Sequence, residues 1–552
     1  MSLQPQVAYL VPKETARVAH EIFPTGNLVM RMYDQLGMLF HDRDFTELFP
    51  PQGRPAEAPT RLALVTLLQF MEGLTDRQAA DAVRTRLDWK YLLCLDLTDR
   101  GFDHTVLSEF RTRLLTHKAE RCLFDAILDI GREQGLLKAG GRQRSDSTHV
   151  LGAMRTLTRL EGVTETMPHA LNMLASGAPE WLRLQTDVTW IERYGARASE
   201  YRLPKSQTKR LAWALQVGKD GLALLTALDA DTAPAELRKL PAVVTLRQVW
   251  EQNFRLDDEQ VRWYTNEQIP PAGEYINSPY DPEARYATKG TTCWTGYKLI
   301  VTETCEAETP NLVTNIETTT AAVADDAVTE EIHAALAEHK LVPEIYIADT
   351  GFVNSKLFVD SKETYGIELL GPTRSDNHWQ AKEGAGFAAR EFEIDWVAQQ
   401  ARCPEGKASV SWTPPIDKFK NEVIKIKFAT TDCRICPSCA KCTRSTPPRR
   451  TITLRPEAQY VALQAGRERE RTEAFKDEYA KRAGVEGTSA QSVRTCEVRR
   501  SRYLGEAKTH LQHLMTGAVI NVVRMLNWFA EVPKVMTRPS PFVRMYRTPA
   551  CA

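Results

Sequence analysis

No stretch of the 552 residues approaches the roughly 20 consecutive apolar side chains that a membrane-spanning helix needs. The opening Met-Ser-Leu-Gln-Pro-Gln has neither the basic start nor the apolar run of a secretory signal, so the expectation is a cytoplasmic protein with no membrane partner. Net charge is also lacking: 71 Lys and Arg balance 71 Asp and Glu, which removes the overall signature of a polyanion binder. No tandem repeat or low-complexity tract appears, which excludes solenoids and disordered arrays. Nor do the eleven cysteines form a disulfide framework, because five crowd between 403 and 442 and six are scattered singly. That distribution points to a metal site in a reducing compartment. His20-Glu21 lacks the second histidine of a zinc-protease helix, since Pro24 stands where it would be needed.

What is present is a globular composition, 43% hydrophobic and 26% charged, in a chain long enough for about three or four domains. Charge is unevenly spread. From Lys441 to the end there are 21 Lys and Arg against 10 Asp and Glu, an electrostatic footprint suited to a polyanion.

Residues 1 to about 40 read as irregular, broken by Pro12 and Pro24. From Thr60 to Leu115 the period is helical: Gly73 ends one helix, the capping box Thr75-x-x-Gln78 opens the next, and Gly101 precedes a third that carries Arg111. This region, 1–135, is expected to be an N-terminal helical DNA-binding domain, with Arg111 a candidate DNA contact, a plain packed helical module being the other reading of the same pattern. Gly140-Gly141 is followed by the polar run Arg142 to Val150, read as a short strand or its end. A mainly helical insertion is expected over 156–280. Alternation returns at Trp294 to Thr304 and Asn311 to Thr318, then a helix from Asp325 to His339, then short apolar strands at Glu344 to Ala348 and Gly366 to Leu370. The segments 136–155 and 281–373 thus predict a mixed sheet with helices around it, an α/β core whose acids project from strand ends. Residues 374–465, with the cysteines, form a second insertion. Residues 466–552 return to helix, from Glu468 to Arg482, then a polar segment, then from Ala507 to Phe529, the last with an apolar face through Leu511, Leu514, Ala518, Val522 and Leu526.

Three acids stand in distinctive settings: Asp146 in Arg-Ser-Asp-Ser-Thr-His, Asp349 in Ile-Ala-Asp-Thr-Gly-Phe, and Glu486 in Tyr479-x2-Arg482-x3-Glu486. Three carboxylates gathered in one cleft can hold two divalent cations that activate a water or 3′ hydroxyl and steady the leaving oxygen of a phosphodiester. Tyr479, Arg482 and Glu486 are spaced to share a helix face, with Arg482 able to grip a phosphate through its fork. Taken singly, a strand-end Asp is commonly a turn residue, and an i,i+4 Arg and Glu pair commonly a surface ion pair worth under about 1 kcal/mol. Glu497, Glu506 and Asp326 are rival acids without a motif.

With these residues in order, the chain resembles the bacterial insertion-sequence DDE transposases, in the superfamily with a Y-x2-R-x3-E signature around the last acid. The segments Gly290 to Glu303, with Trp294, Gly296, Tyr297 and Lys298, and Tyr503 to His510 resemble that family too, and the likeness runs from about residue 40 to 530. The signature's lysine is replaced by Val493, with Arg494 one residue late. The resemblance implies an RNase H-like core with the first acid on the first strand, the second after the fourth and the third on a later helix. It implies Mg2+ (or Mn2+) held by Asp146, Asp349 and Glu486, and DNA contacts by Tyr479, Arg482, Arg494, Lys508 and Lys298. Its partners would be double-stranded DNA, both inverted-repeat ends and target, in a homodimer or larger synaptic assembly at the nucleoid. The enzyme would cleave element ends and join the freed 3′ hydroxyl to target DNA.

Cys433, Cys436, Cys439 and Cys442 recur every third residue, with Cys403 upstream. Paired C-x2-C knuckles suit a tetrahedral structural Zn2+ in a ribbon-like insertion, and an iron–sulfur run is the other reading. Cys403, Cys433, Cys436 and Cys442 resemble the family's usual ligand set, leaving Cys439 as the spare, although it could replace Cys442.

Overall fold

The computed structural model describes residues 2–199, 202–258, 260–382, 386–533 and 542. Its central feature is a six-stranded mixed sheet. Arg142–Leu151 lies in the middle, antiparallel to the long strand Thr292–Thr304 and parallel to Ile345–Ile347, which in turn runs parallel to Glu368–Leu370. Val313–Thr320 and the short Arg285–Lys289 both pair antiparallel with Thr292–Thr304. Setting aside that short edge, Asp146 is on the first strand of the sheet and Asp349 follows the fourth. A mixed α/β fold of this order fits an RNase H-like core.

The helix Glu506–Phe529 covers the sheet, and the face read from its period, Leu511, Leu514, Ala518, Val522 and Leu526, is buried. Gly517 permits the close approach: a Cβ there would come within 2.9 Å of Phe124 and 3.1 Å of Ile316. Phe124 belongs to Cys122–Glu133, so one helix seals the sheet to the N-terminal helices. Those helices follow the sequence signals at Gly73, which is left-handed, and at Thr75, whose hydroxyl and Gln78 form the capping box.

Three expectations are corrected. Residues 1–40 are not irregular: helices run Lys13–Ile22 and Leu28–Leu36, with Pro12 just ahead of the first and the Asn27 side chain capping the second through Met30 N–H. Prolines there bound helices rather than prevent them. Arg142–Leu151 is a ten-residue strand with Asp146 in its middle, hydrogen-bonded on its two edges, so the first acid does not project from a strand end. The polar stretch after Arg482 is the helix Gly484–Cys496, short of apolar residues because little of it faces the core.

Between the first two strands of the sheet, helices Arg159–Gly177, Gln207–Asp229 and Pro241–Asn253 build a separate core around Met167, Leu224 and Trp250. A hairpin, Phe254–Asp257 with Gln260–Trp263, closes it. The cysteine-bearing segment is β-rich, with a three-stranded sheet Ser411–Thr413, Ile424–Lys427 and Thr451–Leu454 packed through Phe392, Phe428 and Ile452. Among the described residues, no helix is long and apolar enough to cross a membrane.

Candidate active site

The three acids meet around one guanidinium. Arg482 Nη2 donates to Asp146 Oδ1 at 3.1 Å and lies 3.7 Å from Asp349 Oδ2, while Nη1 lies 3.6 Å from Glu486 Oε1. Asp146 is held by its central strand, Asp349 by the turn after Ile345–Ile347, where its Oδ1 accepts the Gly351 N–H at 2.7 Å, and Glu486 by the first turn of Gly484–Cys496. Exposure rises in that order, with side chains 14%, 29% and 68% accessible, so the cluster opens to solvent on the Glu486 side. Burial pushes the Asp146 carboxyl above its ordinary value; Arg482 and the Ser147 N–H oppose that, and Asp349 adds to it. Tyr479 stacks on Phe475 and faces the same cluster: burial raises its phenol, Arg482 opposes, and Asp349, Asp146 and Glu486 add to the rise.

A buried charge network sets the third acid's helix against the sheet. Glu303, fully buried on the long central strand, accepts from Arg144 at 2.8 and 2.6 Å, from Thr488 at 2.6 Å and from Arg524 at 2.7 Å. Arg144 also donates to the Lys481 carbonyl. Gly484 lies so close that a Cβ would stand 2.2 Å from Arg144 Nη1. The first-acid strand and the third-acid helix are thereby locked through one carboxylate. Sequence reading missed Glu303, although an acid inside a strand otherwise this apolar was the available signal.

It missed Asp325 as well. A Cβ on Gly351 would stand 2.9 Å from Asp349 Oδ1 and 3.4 Å from Asp325 Oδ2, so a fourth carboxylate adjoins the cluster. Ser147 Oγ donates to it at 2.8 Å and Lys298 Nζ at 2.7 Å. The rival Asp326 turns instead to Arg374 and Asn354. Glu497 sits left-handed at a helix end, and the backbone of Glu506 is tied to Glu283.

Two of the expected DNA contacts are engaged within the protein. Lys298 is only 14% accessible and is held by Asp325 and the Val323 carbonyl. Arg111 lies inside the helical region, paired with Asp76 at 2.5 Å and set over the Tyr503 ring. Arg494 is exposed, donating to Ala490 of its own helix, and Lys508 is exposed beside Arg111 and Tyr503; neither is among the groups that surround the acids.

Among the described residues, no three His, Cys, Asp or Glu side chains are gathered tightly enough to hold a metal ion. At the acids, a guanidinium stands where the three carboxylates converge. The donor set is all oxygen, as hard divalent cations prefer. Cys403, Cys433, Cys436, Cys439 and Cys442 are free thiols that line one cavity with Phe387, Phe428 and Arg450. Cys403 Sγ accepts the Lys407 N–H at 3.2 Å, and burial pushes the Cys442 thiol up to about 11.

A family model described as a transposase DDE domain matches residues 402–526, covering Glu486, Arg482 and the five clustered cysteines. Another, described as a transposase domain (DUF772), matches residues 17–113 in the N-terminal helices. Comparison with curated proteins and with solved structures gives no match. Both matches are to transposase models and stand in chain order, and together they support reading the chain as an insertion-sequence DDE transposase, a kind of metal-dependent enzyme that cuts and joins DNA.

Proposed function

We propose that the protein cleaves the ends of its element and joins the freed 3′ hydroxyl to target DNA at a site made by Asp146, Asp349 and Glu486. The observation that carries this reading is the convergence of all three carboxylates on Arg482. Bound there, two Mg2+ or Mn2+ ions would activate the attacking oxygen and stabilise the leaving one. Asp146, deepest and least accessible, anchors the cluster; Asp349 closes the sheet side; Glu486 completes it from a helix that the Glu303 network holds in register. With metal bound to the carboxylates, Arg482 would be available to hold a phosphate of the DNA through its fork. Tyr479 supplies a flat, half-buried face beside that phosphate. Asp325 orients Ser147 next to Asp146 and adds negative charge behind the site.

The same reading assigns 1–135 to DNA binding, 156–280 and 374–465 to insertions, and a structural Zn2+ to the cysteine cavity, with Cys403, Cys433, Cys436 and Cys442 as ligands. It also assigns work at the nucleoid as a dimer or larger assembly that pairs two ends. The test is incubation of the purified protein with labelled duplexes carrying the element's inverted repeats, with Mg2+ or with EDTA. Metal-dependent nicks at the repeat boundary and covalent joining to a second duplex are expected. Binding without cleavage under every metal condition would leave only a DNA-binding protein, and cleavage without joining would leave a nuclease.

A further inference from the structure

On one face of the helix Glu457–Arg469 and its continuation, Tyr460, Gln464, Arg467 and Arg471 follow at helical spacings of four, three and four. That face forms a wall of an open groove of about 590 Å³, whose other walls come from the cysteine-bearing insertion: Arg390 from one turn and Arg455 from the end of the strand Thr451–Leu454. The space is far larger than a single small anion needs. Its two acids are already engaged. Glu470 accepts the Thr373 N–H, and Asp376 accepts both the N–H and the ring of His378. Arg390 pairs with Glu391, but among the described residues Arg455, Arg467 and Arg471 have no carboxylate within ion-pairing distance. Arg455 on one wall thus faces Arg467 and Arg471 on the other, and with Arg390 the groove sets four guanidiniums against the carboxylates of Asp376 and Glu470, an excess of positive charge that suits a polyanion.

A relay of contacts links the groove to the acid cluster: Arg467 donates to the Arg374 carbonyl, Arg374 pairs with Asp326 at 3.3 Å, and Asp326 is next in chain to Asp325, which adjoins Asp349.

We infer that the groove between the cysteine-bearing insertion and the helix Glu457–Arg469 is a track for the phosphodiester backbone of duplex DNA, gripped by Arg455, Arg467 and Arg471. The inference rests on the transposase reading and deepens it, because it makes the insertion a DNA clamp as well as a cysteine-bearing fold. Contacts of this kind position DNA without reading sequence.

The experiment measures duplex affinity against salt for the native protein, for the triple variant R455A/R467A/R471A, and for Arg469→Ala. Arg469 serves as control because it points away from the groove to Glu368. Each lost phosphate contact lowers the log–log salt slope by about 0.9. The triple variant is therefore expected to bind at least about 100-fold more weakly near physiological salt, with a slope lower by roughly 2 to 3, for specific and unrelated duplexes alike. An unchanged affinity and slope overturns the inference. Failure of the native protein to bind any duplex overturns the transposase reading and this inference with it. In the native protein, bound duplex is expected to shield Arg455, Arg467 and Arg471 from an arginine-directed dicarbonyl reagent. Equal labelling with and without DNA overturns the inference without relying on the variant's folding.

Discussion

Arg482 reaches Asp146 across 336 positions of sequence and donates to it at 3.1 Å, from a point where Asp349 and Glu486 are also within 4 Å. One cation thus neutralises part of a three-carboxylate cluster that otherwise repels itself. On the proposed reading, such a guanidinium would compete with metal for the same charge.

Arg482→Ala follows from that competition. Without the guanidinium the cluster loses its countercharge, and the metal-free protein should be less stable by about 2 kcal/mol. Because a ligand that binds only the folded state stabilises it, Mg2+ should then raise the melting temperature of the variant by more than that of the native protein. Differential scanning calorimetry in EDTA and in Mg2+ reads both terms. Equal metal stabilisation in the two proteins would mean that Arg482 does not share the metal's position.

The Glu303 network predicts a large stability effect remote from solvent. Glu303→Gln leaves Arg144 and Arg524 facing a neutral side chain in a fully buried position, and loss of one partner from such a network costs about 3 to 5 kcal/mol. Urea unfolding should show this as a lower midpoint. Gly484→Ala should also destabilise, since its Cβ would collide with Arg144. Losses below about 1 kcal/mol in both would show that the third-acid helix is held by other contacts.

The cysteine cavity yields a metal-content prediction. Serine at Cys403, Cys433, Cys436 or Cys442 should each lower bound zinc from one per chain towards none, because a tetrahedral site fails when a ligand is lost. Cys439→Ser should keep it. Atomic emission on protein purified without chelator counts the metal; retention in all five variants, or iron in place of zinc, contradicts the assignment.

Stability should also fall with acid. His333 and His513 are buried and His510 half-buried, with burial lowering His333 and His510 to about 4 and His513 to about 3; Arg121 also lowers His510, and His510 lowers His513. Their folded pKa values lie below the unfolded value near 6.5, so the unfolded chain binds more protons in between. The contribution is complete above about pH 6.5 and is lost as pH falls towards 4 and then 3. Thermal melts from pH 7.5 to 4.5 should descend, with a shallower descent in His333→Phe. Identical slopes would exclude His333 from the effect.

Much of this fold was legible because it obeys period. The face of Glu506–Phe529 and the alternation of Thr292–Thr304 are local patterns, as is the Thr75 and Gln78 cap. The acids stood out by motif, but their meeting on Arg482 is a product of tertiary structure that no spacing encodes. Asp325 and Glu303 went unnoticed because their roles come from neighbours more than 150 residues away in chain, Ser147 and Arg144. Lys298 and Arg111 make the complementary point: a basic residue in sequence carries no mark of the carboxylate it will pair with. The helix Gly484–Cys496 read as a polar segment because only Val485, Thr488, Ser492 and Cys496 of it are buried, two of them polar.

The central claim, that Asp146, Asp349 and Glu486 form the metal-holding site, is tested most directly by one set of strand-transfer assays. Asp146→Asn, Asp349→Asn and Glu486→Gln are compared with the rival-acid variants Asp326→Asn, Glu497→Gln and Glu506→Gln on labelled end duplexes in Mg2+. The first three should bind DNA yet neither nick nor join, a loss of at least about 1000-fold, while the rivals keep most activity. Full activity in any of the first three, or its abolition in a rival alone, would contradict the site.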